Sequence, residues 1–151
     1  MRAVNHVAAG AVIVASISNP LVSLPLAFLA HFALDALPHS GDVKENESRQ
    51  LVLQRYILPV DILAGLLLLL AIVLWYPENP WLVAFGGVLC ASPDLGHLPR
   101  FVRFLRTGKA MPPTDRISRF HTAIQWCERP WGYFVEIPFL AVMVYLLFAN
   151  T

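Results

Sequence analysis

Apolar residues along this chain come in long blocks, not in the alternation of a half-buried strand or the narrow stripe of a surface helix. Two blocks, "ILAGLLLLLAIVLWY" (Ile62–Tyr76) and "WGYFVEIPFLAVMVYLLFA" (Trp131–Ala149), approach the ~20 residues that span the hydrocarbon core of a bilayer. The full pattern predicts five apolar helices, about 3–18, 21–37, 56–76, 81–91 and 131–149. Asn-Pro turns, "SNP" and "PENP", join the first to the second and the third to the fourth, so each pair is expected to form an antiparallel hairpin. The polar stretch "HSGDVKENESRQ" links the second to the third. Between the fourth and fifth lies a longer segment, about 98–125, whose Phe101–Leu105 portion has the amphipathic pattern of a helix lying in the interface. No internal repeat interrupts the reading. The expected fold is one all-α integral membrane domain over residues 1–151.

Composition agrees with that pattern. Hydrophobic residues make up 57% of the chain and charged residues only 14%, against about 25% charged in a soluble globule. Cys90 and Cys127 lie in no CxxC or CxxH spacing, so neither a disulfide framework nor a zinc ribbon is expected. There is no glycine-rich phosphate loop, no GxSxG elbow and no nucleic-acid module. The start "MRAVNHVAAGAVIVASIS" has the charged beginning and short apolar core of a signal peptide. Asn5 and His6 interrupt that core, and the apolar pattern runs on through "NPLVSLPLAFLAHF". A retained first helix is expected.

The net charge of +1 says little, but its distribution orients the helices. "SNP", "PENP" and the tail "ANT" carry no Lys or Arg; Arg2, the loop with Lys44, Arg49 and Arg55, and the segment from Arg100 to Arg129 carry them all. With five spans these basic segments fall on one side, which the positive-inside rule makes cytoplasmic. The expected topology is N-terminus inside and C-terminus outside, in a bacterial-type inner membrane.

That topology gathers the polar residues at one end. His6 opens the first helix, His31, Asp35 and His39 close the second, and Asp61 lies a turn inside the third. Asp94 and His97, in "CASPDLGHLP", close the fourth; His121 lies in the inner loop and Glu136 near the inner end of the fifth. The orientation used only Lys and Arg, so this convergence is independent of it. A lone His at a helix end is ordinarily an interfacial residue. Acidic residues within spans differ, because each costs roughly 2.5–3.5 kcal/mol on insertion and seeks a partner inside the bundle. Residues at i, i+4 and i+8 of a helix advance only about 40° per step, which would set His31, Asp35 and His39 on one face, unless Pro38 ends the helix first. Imidazoles and carboxylates bind zinc, manganese or iron without thiolates. His6, His31, Asp35, His39, Asp94, His97 and His121 are the candidate ligands, for one ion or two, with zinc first among the metals. Asp61 and Glu136 are candidates for a bridging ligand, a general base, or a partner that fixes a His tautomer. The alternative is a scatter of polar residues that never meet.

Three of these stretches resemble the small membrane-bound metal-dependent hydrolases, the group that includes a LexA-regulated bacterial inner-membrane protein. "HFALDALPH" resembles that family's HxxxD helix, "SPDLGH" its PDxDH segment with Gly96 in place of the second Asp, and "NHVAAGAVI" its first helix. "RFHTA" keeps Arg119, His121 and Thr122 of the family's HRxxTHS segment. The resemblance covers about a third of the chain and implies a membrane-embedded, metal-dependent hydrolase.

The segment before the fifth helix holds seven of the basic residues, Arg100, Arg103, Arg106, Lys109, Arg116, Arg119 and Arg129. These set topology in any case. They also suit an anionic headgroup, since Arg pairs with phosphate and the cytoplasmic leaflet is anionic. Arg116 and Arg119, just before His121, are the candidate substrate-binding residues. Membrane lipids are the expected partners, and hydrolysis of a lipid-linked phosphoester is the expected function. The alternatives are a divalent-metal transporter and a non-catalytic protein whose metal pins the helices together. Transport sites usually lie near the bilayer midplane, whereas these ligands crowd one end. Gly65, Gly86 and Gly87 permit close helix packing, within the chain or in a homo-oligomer.

Overall fold

The structure is a computed structural model that describes residues 1–40, 53–107 and 116–149. Lys44 and Arg49, Lys109, and the middle of the 98–125 segment lie outside the described residues. Among those described there are seven α-helices: α1 (Ala3–Ser16), α2 (Pro20–Asp35), α3 (Leu58–Trp75), α4 (Pro80–Ala91), α5 (Leu98–Thr107), α6 (Arg116–Ile124) and α7 (Tyr133–Phe148). The described residues form an all-α structure, as the pattern of apolar blocks predicts. A π-type turn, Leu53–Ile57, leads into α3, and a 3₁₀ turn, Ser92–His97, leads out of α4.

Both Asn-Pro turns start helices for a physical reason. Asn19 caps α2 by accepting from Leu21 N at 3.0 Å, with Pro20 at the first position, where no amide hydrogen is needed. Asn79 adopts φ 49°, the left-handed turn before Pro80 opens α4.

Helix α2 ends at Asp35, three residues before Pro38. The expected one-face triad is therefore corrected: His31 and Asp35 share the last turn, while His39 has left the helix. Its backbone pairs with the 127–129 segment instead, His39 N to Cys127 O at 3.4 Å and Arg129 N to His39 O at 2.8 Å. Gly132 lies against this crossing so closely that a Cβ there would sit 1.9 Å from the His39 carbonyl carbon. The contact ties the end of α2 to the start of α7.

Helix α1 is the hub, packed against α2, α3, α4 and α7. Small residues make this possible. The carbonyl of Gly86 lies 2.3 Å from where a Gly10 Cβ would stand, so α1 and α4 meet backbone to backbone. The core is compact and apolar, with Ala11, Val14, Ala27, Ile72, Val83, Ala84 and Leu147 buried together. One helix among the described residues, Arg55–Trp75, is long and apolar enough to cross a membrane. Helices α1, α2 and α7 are apolar but have 14, 16 and 16 residues, roughly 21–24 Å of rise against a hydrocarbon core of ~30 Å.

Candidate metal centre

Four elements carry the site. His6 comes from the first turn of α1, His31 and Asp35 from the last turn of α2, Asp94 and His97 from the 3₁₀ turn, and His121 from α6. The 3₁₀ turn matters because it sets Asp94 Oδ1 3.9 Å from His31 Nε2 on the last turn of α2.

At the centre, one donor atom from each of His31, Asp35, Asp94 and His121 lies within 4.8 Å of the others. His31 Nε2 is 2.8 Å from His121 Nε2 and 3.3 Å from Asp35 Oδ2. His121 Nε2 is 3.0 Å from Asp35 Oδ2 and 3.5 Å from Asp94 Oδ1. His31 Nε2 is 3.9 Å from Asp94 Oδ1. Such separations are those of ligands that share one ion at about 2.0–2.2 Å. The set is two imidazoles and two carboxylates, the donor chemistry of zinc, manganese or iron. His31, Asp35 and His121 are buried, while the Asp94 side chain is 32% exposed and forms the mouth.

His6 lies at the other edge, its Nε2 3.1 Å from Asp35 Oδ1 and 4.0 Å from Asp94 Oδ2. The Met1 amine pairs with the same Asp35 Oδ1. Imidazole rings stack through the cluster, His6 on His31 with centroids 4.2 Å apart and His31 on His121 at 5.0 Å. His97 stands behind His121, with its Nε2 2.5 Å from His121 Nδ1. A proton on His121 Nδ1, donated to His97 Nε2, leaves His121 Nε2 free as a ligand. This is the orienting role that partners of ligand histidines play.

The remaining candidates lie elsewhere. Asp61 accepts from the amides of Ala3 at 2.7 Å and Val4 at 3.1 Å. Glu136 accepts from the amide of Arg2 at 2.8 Å and from the Ser40 amide and hydroxyl, with the Arg2 Nε 3.8 Å away. Asp61 thus holds the first amides of α1, which have no partner within the helix, and Glu136 holds the amide of Arg2 just before it. His39 is buried beside Glu128, its Nε2 3.9 Å from Glu128 Oε1, and its Nδ1 donates to Leu37 O at 2.7 Å. Burial, chiefly, holds the His39 imidazole below its ordinary pKa.

A cavity of about 320 Å³ adjoins the centre, lined by Phe28, Phe32, Pro93, Gly96, His97, Arg116, Phe120 and His121. Arg116 lines it; Arg119 does not. Two contributors carry no motif in the sequence. Gln125 donates to Asp35 Oδ2 at 3.2 Å, and its signal was its i+4 spacing from His121. The aromatic wall was hidden among many apolar residues, although Phe28 and Phe32 flank His31 on α2. No protein-family model, curated protein or solved structure matches the chain.

Proposed function

We propose that this chain is a membrane-embedded, metal-dependent hydrolase of lipid-linked phosphoesters, akin to the small membrane-bound hydrolases whose motifs it resembles. It works at the cytoplasmic leaflet, with five spans and the N-terminus inside. The observation that carries the reading is the cluster of His31, Asp35, Asp94 and His121, drawn from three separate elements into one donor set, buried but for Asp94, beside an apolar cavity. Membrane embedding is supported by an inside-out α3, whose Asp61 is 7% exposed while Leu66 and Leu67 are each 57% exposed. The shorter helices reach across by local thinning of the bilayer.

His31, Asp35, Asp94 and His121 would hold the ion. A divalent metal there supplies Lewis acidity and lowers the pKa of water. The protein does the rest. Phe28, Phe32 and Phe120 take the apolar tail, and Arg116 pairs with the phosphate at the mouth. Asp94, the most exposed of the four, would hold the ion on the side that faces the mouth. His97 keeps His121 in the tautomer that leaves its Nε2 available. The buried carboxylates of Asp61 and Glu136 keep α1, and with it His6, in place.

A metal that only pins the fold is the second reading, favoured by the wide sequence separation of the donors. The test is release of phosphate from short-chain phosphatidate and isoprenyl phosphates in detergent. Activity that chelation abolishes, and that Arg116→Ala lowers about tenfold or more, is expected. Metal-bound, folded protein with no phosphoesterase activity on either substrate class overturns the catalytic reading.

A further inference from the structure

The two carboxylates of the cluster divide their oxygens in the same way. Asp35 turns Oδ2 toward His31 (3.3 Å) and His121 (3.0 Å), and Oδ1 toward His6 (3.1 Å). Asp94 turns Oδ1 toward His31 (3.9 Å) and His121 (3.5 Å), and Oδ2 toward His6 (4.0 Å). Each carboxylate thus faces two separate imidazole groups, one through each oxygen. His6 is fully buried, although a lone histidine on an apolar helix has no packing need to point at two acids.

We propose that the centre is dinuclear, with Asp35 and Asp94 both bridging. The first position takes His31, His121, Asp35 Oδ2 and Asp94 Oδ1. The second takes His6 Nε2, Asp35 Oδ1 and Asp94 Oδ2. This inference rests on the metal-centre reading above and extends it. Three features carry it.

The donors of the second position are nitrogen and oxygen only, so both positions suit the same class of divalent ion. Asp35 Oδ1 is an anionic donor that the Met1 amine balances, and a divalent ion at the second position would displace that amine and take over its role. Carboxylate bridges hold two ions about 3.5–4 Å apart, the spacing that serves in-line displacement at phosphorus. With three protein donors against four, the second position is the more open one. It stands at the α1 edge, across the carboxylates from His121 and the cavity.

The experiment loads the full-length protein in detergent with manganese, and separately with zinc, and removes free ion by gel filtration. Metal per chain is then read by elemental analysis, and the manganese form by electron paramagnetic resonance. Two equivalents per chain are expected, with an exchange-coupled manganese spectrum in place of the six lines of an isolated ion. His6→Gln is expected to fall to one equivalent and to give the uncoupled six-line signal.

One equivalent and an uncoupled spectrum in the wild type would overturn the second position and leave the first intact. The Met1 amine would then be the only cation on Asp35 Oδ1. No metal in the wild type with either ion would overturn the underlying reading as well. The wild-type spectrum decides the matter even if His6→Gln fails to fold. If that variant elutes as a single species and keeps both equivalents, His6 is not a ligand and the proposal fails.

Discussion

Asp61 shows how a single residue can satisfy the physics of burial without joining the donor cluster. A carboxylate in an apolar run must find a partner, and the sequence says no more than that. Here the partners are the amides of Ala3 and Val4, 58 and 57 residues away in the chain, and no periodicity encodes such a contact. Loss of a helix cap costs about 0.5–2 kcal/mol, so Asp61→Ala should lower the melting temperature in detergent while metal content stays at the wild-type level. Unchanged stability with lost activity would instead make Asp61 a catalytic base. His39 gives a prediction in pH. Burial holds its pKa below the ordinary value, so the folded chain binds this proton less readily than the unfolded chain does. Its contribution to stability is complete above the unfolded pKa of about 6.5 and is lost as pH falls through that value and on to the lower folded one. Melting temperatures compared at pH 7.5 and 5.5 should drop less for His39→Gln than for the wild type. An equal drop in both would show that His39 carries none of the pH dependence.

Helices were the most legible feature of the sequence, because apolar runs bounded by Asn-Pro turns leave little freedom in where they begin. Helix α4 runs over Pro80–Ala91 where 81–91 was expected, and α7 over Tyr133–Phe148 where 131–149 was expected. The His31–Asp35 pair was legible for a similar reason, since i+4 spacing on a helix leaves two side chains on one face. Less legible was which neighbour each small residue meets. Gly86 and Gly65 look alike in sequence but not in the fold. A Cβ at Gly86 would lie 2.4 Å from Val14 Cγ2 and 2.8 Å from Gly10 O, whereas one at Gly65 finds its nearest atom at 3.7 Å. Gly86→Ala should therefore force α1 and α4 apart and cost on the order of 1–3 kcal/mol. Gly65→Ala should be neutral or stabilising, because alanine is the better helix former by up to about 1 kcal/mol. A lower melting temperature for Gly86→Ala alone would support this packing, and an equal fall in both variants would contradict it.

Taken together, the molecule is arranged inside out. Large apolar side chains such as Leu66, Leu70, Leu74, Phe85 and Tyr145 face outward, while His6, His31, Asp35, Asp61 and Glu136 are buried. Burying so many ionisable groups is costly unless they are paired or bind a metal. Asp61 meets that need with the first amides of α1, and Glu136 with the Arg2 amide and Ser40. Asp35 meets it with the Met1 amine, Gln125 and three imidazoles. The convergence of histidines and acids at one end was legible from topology alone. Their sorting into candidate ligands, the His97 contact and the helix clamps was not, because it depends on where the 3₁₀ turn and α6 bring Asp94 and His121. The cluster of His31, Asp35, Asp94 and His121 could hold a metal ion, which would give this polar centre a purpose. Elemental analysis of the detergent-purified chain, beside His31→Ala and Asp35→Ala, tests that most directly. At least one equivalent of zinc, manganese or iron in the wild type, lost in both variants, is the predicted result. A folded wild-type protein that holds no transition metal, even after incubation with zinc and manganese, would contradict it.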